Sequence, residues 1–145
     1  SGPLLGPFTP LLYTPALCRP FFAFMSAVST MPGLPAAARE TAILATGSHY
    51  QAPYEIYAHE HVALANTSLS KEQINMIKRG KKPKDLGKGE GGDMELVTKK
   101  GPLGKETWEG VFGTFGREGA AALVQFVGLY AYTCVLLNGC DMQVP

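Results

Sequence analysis

An all-α fold follows from three features of this 145-residue chain. No segment sustains the period-two alternation of a half-buried strand. Prolines and small hydroxyl residues stand where helices would start, at Thr14-Pro15, Pro35, Pro53 and Ser70. Alanine-rich and apolar runs of helical length fill the intervals between them. The length suits one domain, residues 1–145. At this size roughly 68–70% of the unfolded chain's surface can be buried, enough for a core without cross-links.

The elements follow in order. Residues 1–14, rich in proline and glycine, read as an extended arm. Thr14 and Pro15 offer a capping hydroxyl and then a proline at the first helical position. Pro20 is expected to interrupt, so that a short turn precedes a helix from about Pro20 to Ser29. "MPGLP" breaks the chain, and Pro35 starts a helix that runs to about His49. Pro53 opens the next, "PYEIYAHEHVALANT", ending near Asn66. Ser70 and Gln73 have the spacing of a capping box, and the helix they open stops at Gly80. Residues 81–103 are expected to be a charged, glycine-rich loop, with weak helical order at "MELVTKK". A helix follows around "KETWEGVF", and the last element is the long apolar "REGAAALVQFVGLYAYTCVLLNG".

Hydrophobic residues make up 46% of the chain and charged residues only 17%. That is apolar for a soluble monomer and points to a face buried against another subunit. Ala120 to Leu137 contains 18 residues without a charge, which reaches the threshold length for a membrane span. A central helix buried in the protomer or in an oligomer interface explains it as well. A lone span would leave the other helices unexplained, so no membrane partner is expected.

A net charge of +1 names no polyanionic partner. Lys78, Arg79, Lys81, Lys82 and Lys84 cluster after a helix end, where cations complement the dipole. No aromatic residues interleave with them, so no nucleic-acid partner is expected. "GKGEGG", Gly87 to Gly92, matches a phosphate-loop spacing, but no strand precedes it, and a flexible loop is the expectation. Cys18, Cys134 and Cys140 form no Cys-x-x-Cys and no zinc pattern; they read as buried free thiols in a reducing, cytoplasmic setting. No secretory signal opens the chain, and a sequence starting at Ser1 is expected to be trimmed.

The stretch "RETAILATGSHYQAPYEIYAH", Arg39 to His59, carries the chemistry. If its two helices turn back near Tyr50–Gln51, Glu40 and His59 lie at similar distances from the turn and face each other. Glu55 and His59 are four residues apart and share a helical face. Glu40, Glu55 and His59 then converge on one site. The alternative is a surface pair of Glu55 and His59, with Glu40 merely complementing a helix dipole. Tyr54, Tyr57 and Tyr130 are candidates to line a substrate pocket, or simply to pack the core. His49 is carried with them because it sits close to the turn. His61 is two residues beyond His59 and should point away.

"LPAAARETAIL", "YQAPYEIYAHE", "VQFVGLYAYTCVLLNGCDMQVP" and "FTPLLYTPALCRPFFAF" together resemble the carboxymuconolactone decarboxylase family, which also contains the AhpD-type peroxidases. The resemblance covers nearly the whole chain, and its central stretch is the most specific part. The peroxidase branch carries Glu-x11-Cys-x2-Cys-x3-His. From Glu40 that spacing lands on Ala52, Glu55 and His59, so both thiols are missing and dithiol cycling is ruled out. The pattern looks like the decarboxylase side instead.

The resemblance implies an AhpD-like fold of about six helices, homo-oligomers (trimers or hexamers), a small-molecule substrate and no cofactor. It implies decarboxylation or proton transfer on a small cyclic or conjugated acid or ketone. His59 would be the general acid/base, Glu40 its orienting partner or proton relay, and Glu55 a second carboxylate in the pocket. Family members carry a longer helix where the glycine-rich loop is expected here. That departure favours the alternative, a binding or assembly protein on the same fold without catalysis.

Overall fold

A computed structural model describes residues 8–145. Seven helices and no strand occur among them: α1 (Phe8–Leu11), α2 (Pro15–Ser29), α3 (Ala36–Tyr50), α4 (Pro53–Asn66), α5 (Lys71–Lys78), α6 (Lys88–Thr98) and α7 (Lys105–Gly139). Of the expected N-terminal arm, residues 1–7 lie outside the described part, and Phe8–Leu11 forms a short helical turn.

The architecture is built around α3. It packs against α4, α5, α6 and α7. Nine of its residues, Ala38 and Glu40 to Gly47 among them, are buried. Alanines at 38, 42 and 45 let neighbouring helices approach closely, while Ile43 and Leu44 fill the space between. One side of α3 shares a core cluster with Phe21 and Val28 of α2 and Val111, Leu123 and Phe126 of α7. The other meets Ala63 of α4, Ile74 and Ile77 of α5 and Met94 of α6. Emptying such a position, as in Ile43→Ala, costs about 2–5 kcal/mol.

Proline and capping signals set several boundaries as expected. Ser70 and Gln73 form the reciprocal capping box at the start of α5. Pro53 is the first residue of α4. The α3–α4 reversal falls at Gln51, which adopts left-handed φ 51° and lets Ala52 N–H reach the Gly47 carbonyl at 2.9 Å.

Three expectations need correction. Pro20 does not interrupt: α2 runs through it from Pro15. A proline this close to a helix start removes one hydrogen bond, to Ala16, and Ala16 is exposed, so water takes over the freed carbonyl. Thr14 stands at the cap position of α2, but its side chain caps nothing.

The glycine-rich stretch is helical. Lys88–Thr98 forms α6, which follows Gly87 at the cap position and packs on α3 and α7. Its glycines serve contact. A Cβ on Gly89 would come within 2.5 Å of the Phe115 ring, and one on Gly92 within 2.1 Å of Val111 Cγ2. The low helix propensity of glycine is offset by packing on α7 that side chains would block. Only the ends of residues 81–103 remain loop.

The two expected C-terminal segments, around "KETWEGVF" and from Arg117 onward, adjoin end to end within α7, and the backbone breaks between them at Gly116 with φ 67° and ψ −174°, as the sequence reading separates them. The apolar half of α7 is not buried on all sides: Val124, Tyr132 and Val135 are exposed. The helix enclosed by neighbours is α3.

Candidate active site

Glu40 sits in the second turn of α3, 8% exposed. Just before it, Arg39 donates hydrogen bonds to the carbonyls of Ser29, Leu34 and Met31. Its guanidinium also lies 5.8 Å from the Phe126 ring centre. The α2–α3 loop is thereby tied to the start of α3, which fixes where Glu40 stands.

Glu55 and His59 lie one turn apart on α4 and face α3. His59 Nδ1 is 2.9 Å from Glu40 Oε2, and His59 Nε2 is 3.2 Å from Glu55 Oε1. The three residues thus converge as the spacing predicts. Both ring nitrogens face carboxylates. Neutral imidazole has a single N–H, so this arrangement is satisfied only by one additional proton shared among the three groups.

Burial disfavours charge on His59. Hydrogen bonds to Glu40 and Glu55, and the negative charge of both, outweigh that penalty and raise its pKa from 6.5 to about 9. At neutral pH the ring is an imidazolium between two carboxylates.

Tyr130 of α7 meets the His59 ring edge-on, with centres 5.3 Å apart and planes at 88°. Phe126 supports Tyr130 from one turn earlier, at 5.1 Å. Burial first, and then the charges of Glu55 and Glu40, push the Tyr130 phenol well above its ordinary range, so it stays a neutral donor.

A cavity of about 240 Å³ opens against this group. Its walls are Tyr54, Glu55, Ala58 and His59 of α4 and Leu129, Tyr130 and Thr133 of α7. Phe21 and Met25 of α2 and Phe8 of α1 complete it. Glu40 is not in the wall; it stands behind His59. A larger hollow of about 730 Å³ beside α6 and α7 is lined by Lys82 and by glutamates, threonines and glycines and holds none of these groups.

Among the expected pocket residues, Tyr54 and Tyr130 line the cavity. Tyr57 does not: it is 41% exposed and packs edge-on against the equally outward His61. Two residues beyond Glu55, it lies about 200° around the helix. His49 is exposed at the end of α3, beside Tyr50, and does not reach the site.

Nothing local in the sequence singles out Phe8, Phe21, Met25 or Thr133 as wall residues. The helical spacing of Phe126, Tyr130 and Thr133 was the available signal for the α7 wall. Met25 and Phe21 share the same relation on α2.

The thiols sit differently from expectation. Only Cys134 is buried; Cys18 is half-buried and Cys140 exposed at the end of α7. Burial, with Glu55 nearby, pushes the Cys134 thiol up to about 12, so it is no nucleophile. Ala52, at the first cysteine position of the peroxidase spacing, is fully buried. Among the described residues no group of three His, Cys, Asp or Glu side chains is arranged to hold a metal ion.

Compared with known proteins, the chain matches no family model and no curated sequence. The functional evidence is the geometry of Glu40, Glu55 and His59 and the cavity that Glu55 and His59 line.

Proposed function

We propose that this chain is a cofactor-independent acid–base enzyme of the carboxymuconolactone decarboxylase type. It acts on a small cyclic or conjugated acid or ketone, by decarboxylation or proton transfer. One observation carries the reading: His59 is bracketed by Glu40 at 2.9 Å and Glu55 at 3.2 Å in the wall of a mostly apolar cavity. Burying a charged triad is costly, and placing it against a small ligand-sized space turns that cost to use.

The roles follow from position. His59 donates or accepts the proton at Nε2, the nitrogen with the longer contact. Glu40 holds Nδ1 from behind and stabilises the imidazolium; it is a positioning residue. Glu55 lines the cavity and is the second acid–base group. Apolar walls exclude water and strengthen each interaction inside. Ala52 and Glu55 leave no dithiol for a peroxidase.

The reading takes a small-molecule substrate and a homo-oligomer, trimer or hexamer, in the cytoplasm, with no nucleic-acid or membrane partner. Its test is His59→Gln assayed for proton exchange and decarboxylation on a panel of small ketones and lactone acids. The variant should fold and lose about 10²–10⁴ in rate. Turnover undiminished in a folded His59→Gln protein would remove the reading.

A second reading, a non-catalytic assembly protein on this fold, draws on the exposed apolar residues of α2 and α7. It expects no turnover from wild type on any member of the panel.

A further inference from the structure

The geometry points to a neutral substrate: a small, mostly apolar carbonyl compound without an ionised carboxylate. Glu55 moves its C–H proton while His59 holds its carbonyl oxygen. This narrows the acid–base reading above and rests on it.

Charge is the first argument. The cavity wall supplies one carboxylate, Glu55, and one imidazolium, His59, and Glu40 stands directly behind. Counting all three, the group carries one net negative charge. No Lys or Arg lines the cavity among the described residues. The guanidinium of Arg39 is spent on the carbonyls of Ser29, Leu34 and Met31. A carboxylate ligand would have no cation of its own and would face Glu55 in a poorly solvated space.

Shape and lining agree. About 240 Å³ is below the roughly 300–1,000 Å³ of drug-sized pockets, so room exists for about one ring and a short substituent. Phe8, Phe21, Met25 and Leu129 give apolar contact on several sides. Few polar groups remain for a ligand. Thr133 Oγ1 already donates to the Leu129 carbonyl at 3.0 Å. His59 Nε2 is the donor suited to a carbonyl oxygen, and Tyr54 and Tyr130 line the wall beside it.

The step balances without an outside reagent. The carbonyl oxygen takes the place of Glu55 at His59 Nε2, the longer of the two ring contacts. Glu55 removes a proton from the carbon beside the carbonyl. The C–H pair becomes a C=C bond, the carbonyl π pair moves to oxygen, and oxygen takes the Nε2 proton. Glu55 is then a neutral acid, His59 a neutral imidazole and Glu40 still a carboxylate, so the net charge of the triad is unchanged. Return of the Glu55 proton to the same carbon exchanges hydrogen; its return to a conjugated carbon isomerises the compound.

The experiment pairs neutral ketones with carboxylates of similar shape: acetophenone with benzoate, and phenylacetone with phenylacetate. Affinities are measured by calorimetry at neutral pH on wild type and on Glu55→Gln. Exchange of ketone α-hydrogens in D2O is followed by NMR on wild type and His59→Gln. Ketones should bind wild type at least about tenfold tighter than the carboxylates. Glu55→Gln should narrow that gap, and His59→Gln should abolish exchange. Carboxylates bound as tightly as ketones, with exchange intact, overturn the neutral class and leave the acid–base reading standing. Ketone preference with exchange no faster than in His59→Gln overturns the acid–base reading and the enolisation step with it. Failure of every ketone to bind at millimolar concentration overturns the substrate class outright.

Discussion

His59 owes its charge to its neighbours. Burial alone would lower its pKa, and Glu40 and Glu55 reverse the sign and bring it to about 9. The linkage to stability has a definite direction. A group whose pKa is raised by folding contributes in full below its unfolded value, about 6.5, and that contribution fades as pH rises through about 9. Wild type should therefore lose on the order of 3 kcal/mol of stability across this window relative to His59→Gln. Denaturant unfolding at a series of pH values measures it. Parallel pH profiles for the two proteins would show that the ring is not held charged. Steps that need the imidazolium as acid should slow over the same rise. Glu40→Gln keeps the shape of the hydrogen bond yet removes a charge, so its activity limb should move toward lower pH, a change that mere loss of packing does not produce.

At the scale of elements, α6 is the place where local propensity and packing disagree. Four glycines in "GKGEGG" argue for a loop, but Gly89 and Gly92 face Phe115 and Val111 with no room for a Cβ. Gly92→Ala should destabilise the protein by about 1–3 kcal/mol, because Val111 is branched at Cβ and cannot swing away cheaply. Gly113→Ala is the control: nothing lies within 4 Å of its added Cβ, so it should gain up to about 1 kcal/mol in helix propensity. Thermal unfolding of the two variants decides between contact and conformation, and equal destabilisation would reject the contact explanation. The same contrast shows what was legible in the sequence. Starts of α3, α4 and α5 were readable because proline and the Ser70–Gln73 box act locally. The Glu40–Glu55–His59 convergence was readable because a short turn and the helical repeat fix distances. Helix α6 was hidden because its stabilising partners are about twenty residues away on α7. Phe8, Phe21 and Met25 were hidden for the same reason: how α1 and α2 lie on α4 and α7 is a tertiary fact. Tyr57 falls outside the pocket because a position two residues beyond Glu55 lies about 200° around α4.

Among the described residues, an apolar face of α2 and α7 is left exposed. Leu17, Phe22 and Phe24 of α2 are exposed, as are Val124, Tyr132 and Val135 of α7. Phe21 and Tyr132 join the two helices, with ring centres 5.6 Å apart. Leu17, Pro20, Phe21, Phe24 and Tyr132 together line a shallow hollow of about 320 Å³. On α7 the residues lie within the charge-free run from Ala120 to Leu137, and on α2 Arg19 is the one charged residue, so water meets hydrocarbon there with few polar groups between. Soluble monomers rarely expose a contiguous apolar patch of more than a few hundred Å². A homo-oligomer that covers α2 and α7 is the expected state. The alternative cover is lipid: α7 is long and apolar enough to cross a membrane by length and composition, yet half of its apolar window is already buried against the protein. A span so engaged would have to shed α2, α3 and α6 before lipid could surround it. Light scattering at micromolar concentration, without detergent, should give a multiple of the 15.5 kDa chain. Val135→Glu and Leu17→Glu should shift the assembly toward smaller species while leaving the helical circular dichroism signal in place, since both side chains are exposed in the protomer. A monodisperse monomer in wild type would remove the oligomer. A protein that stays in solution only with detergent would give the face to the membrane instead.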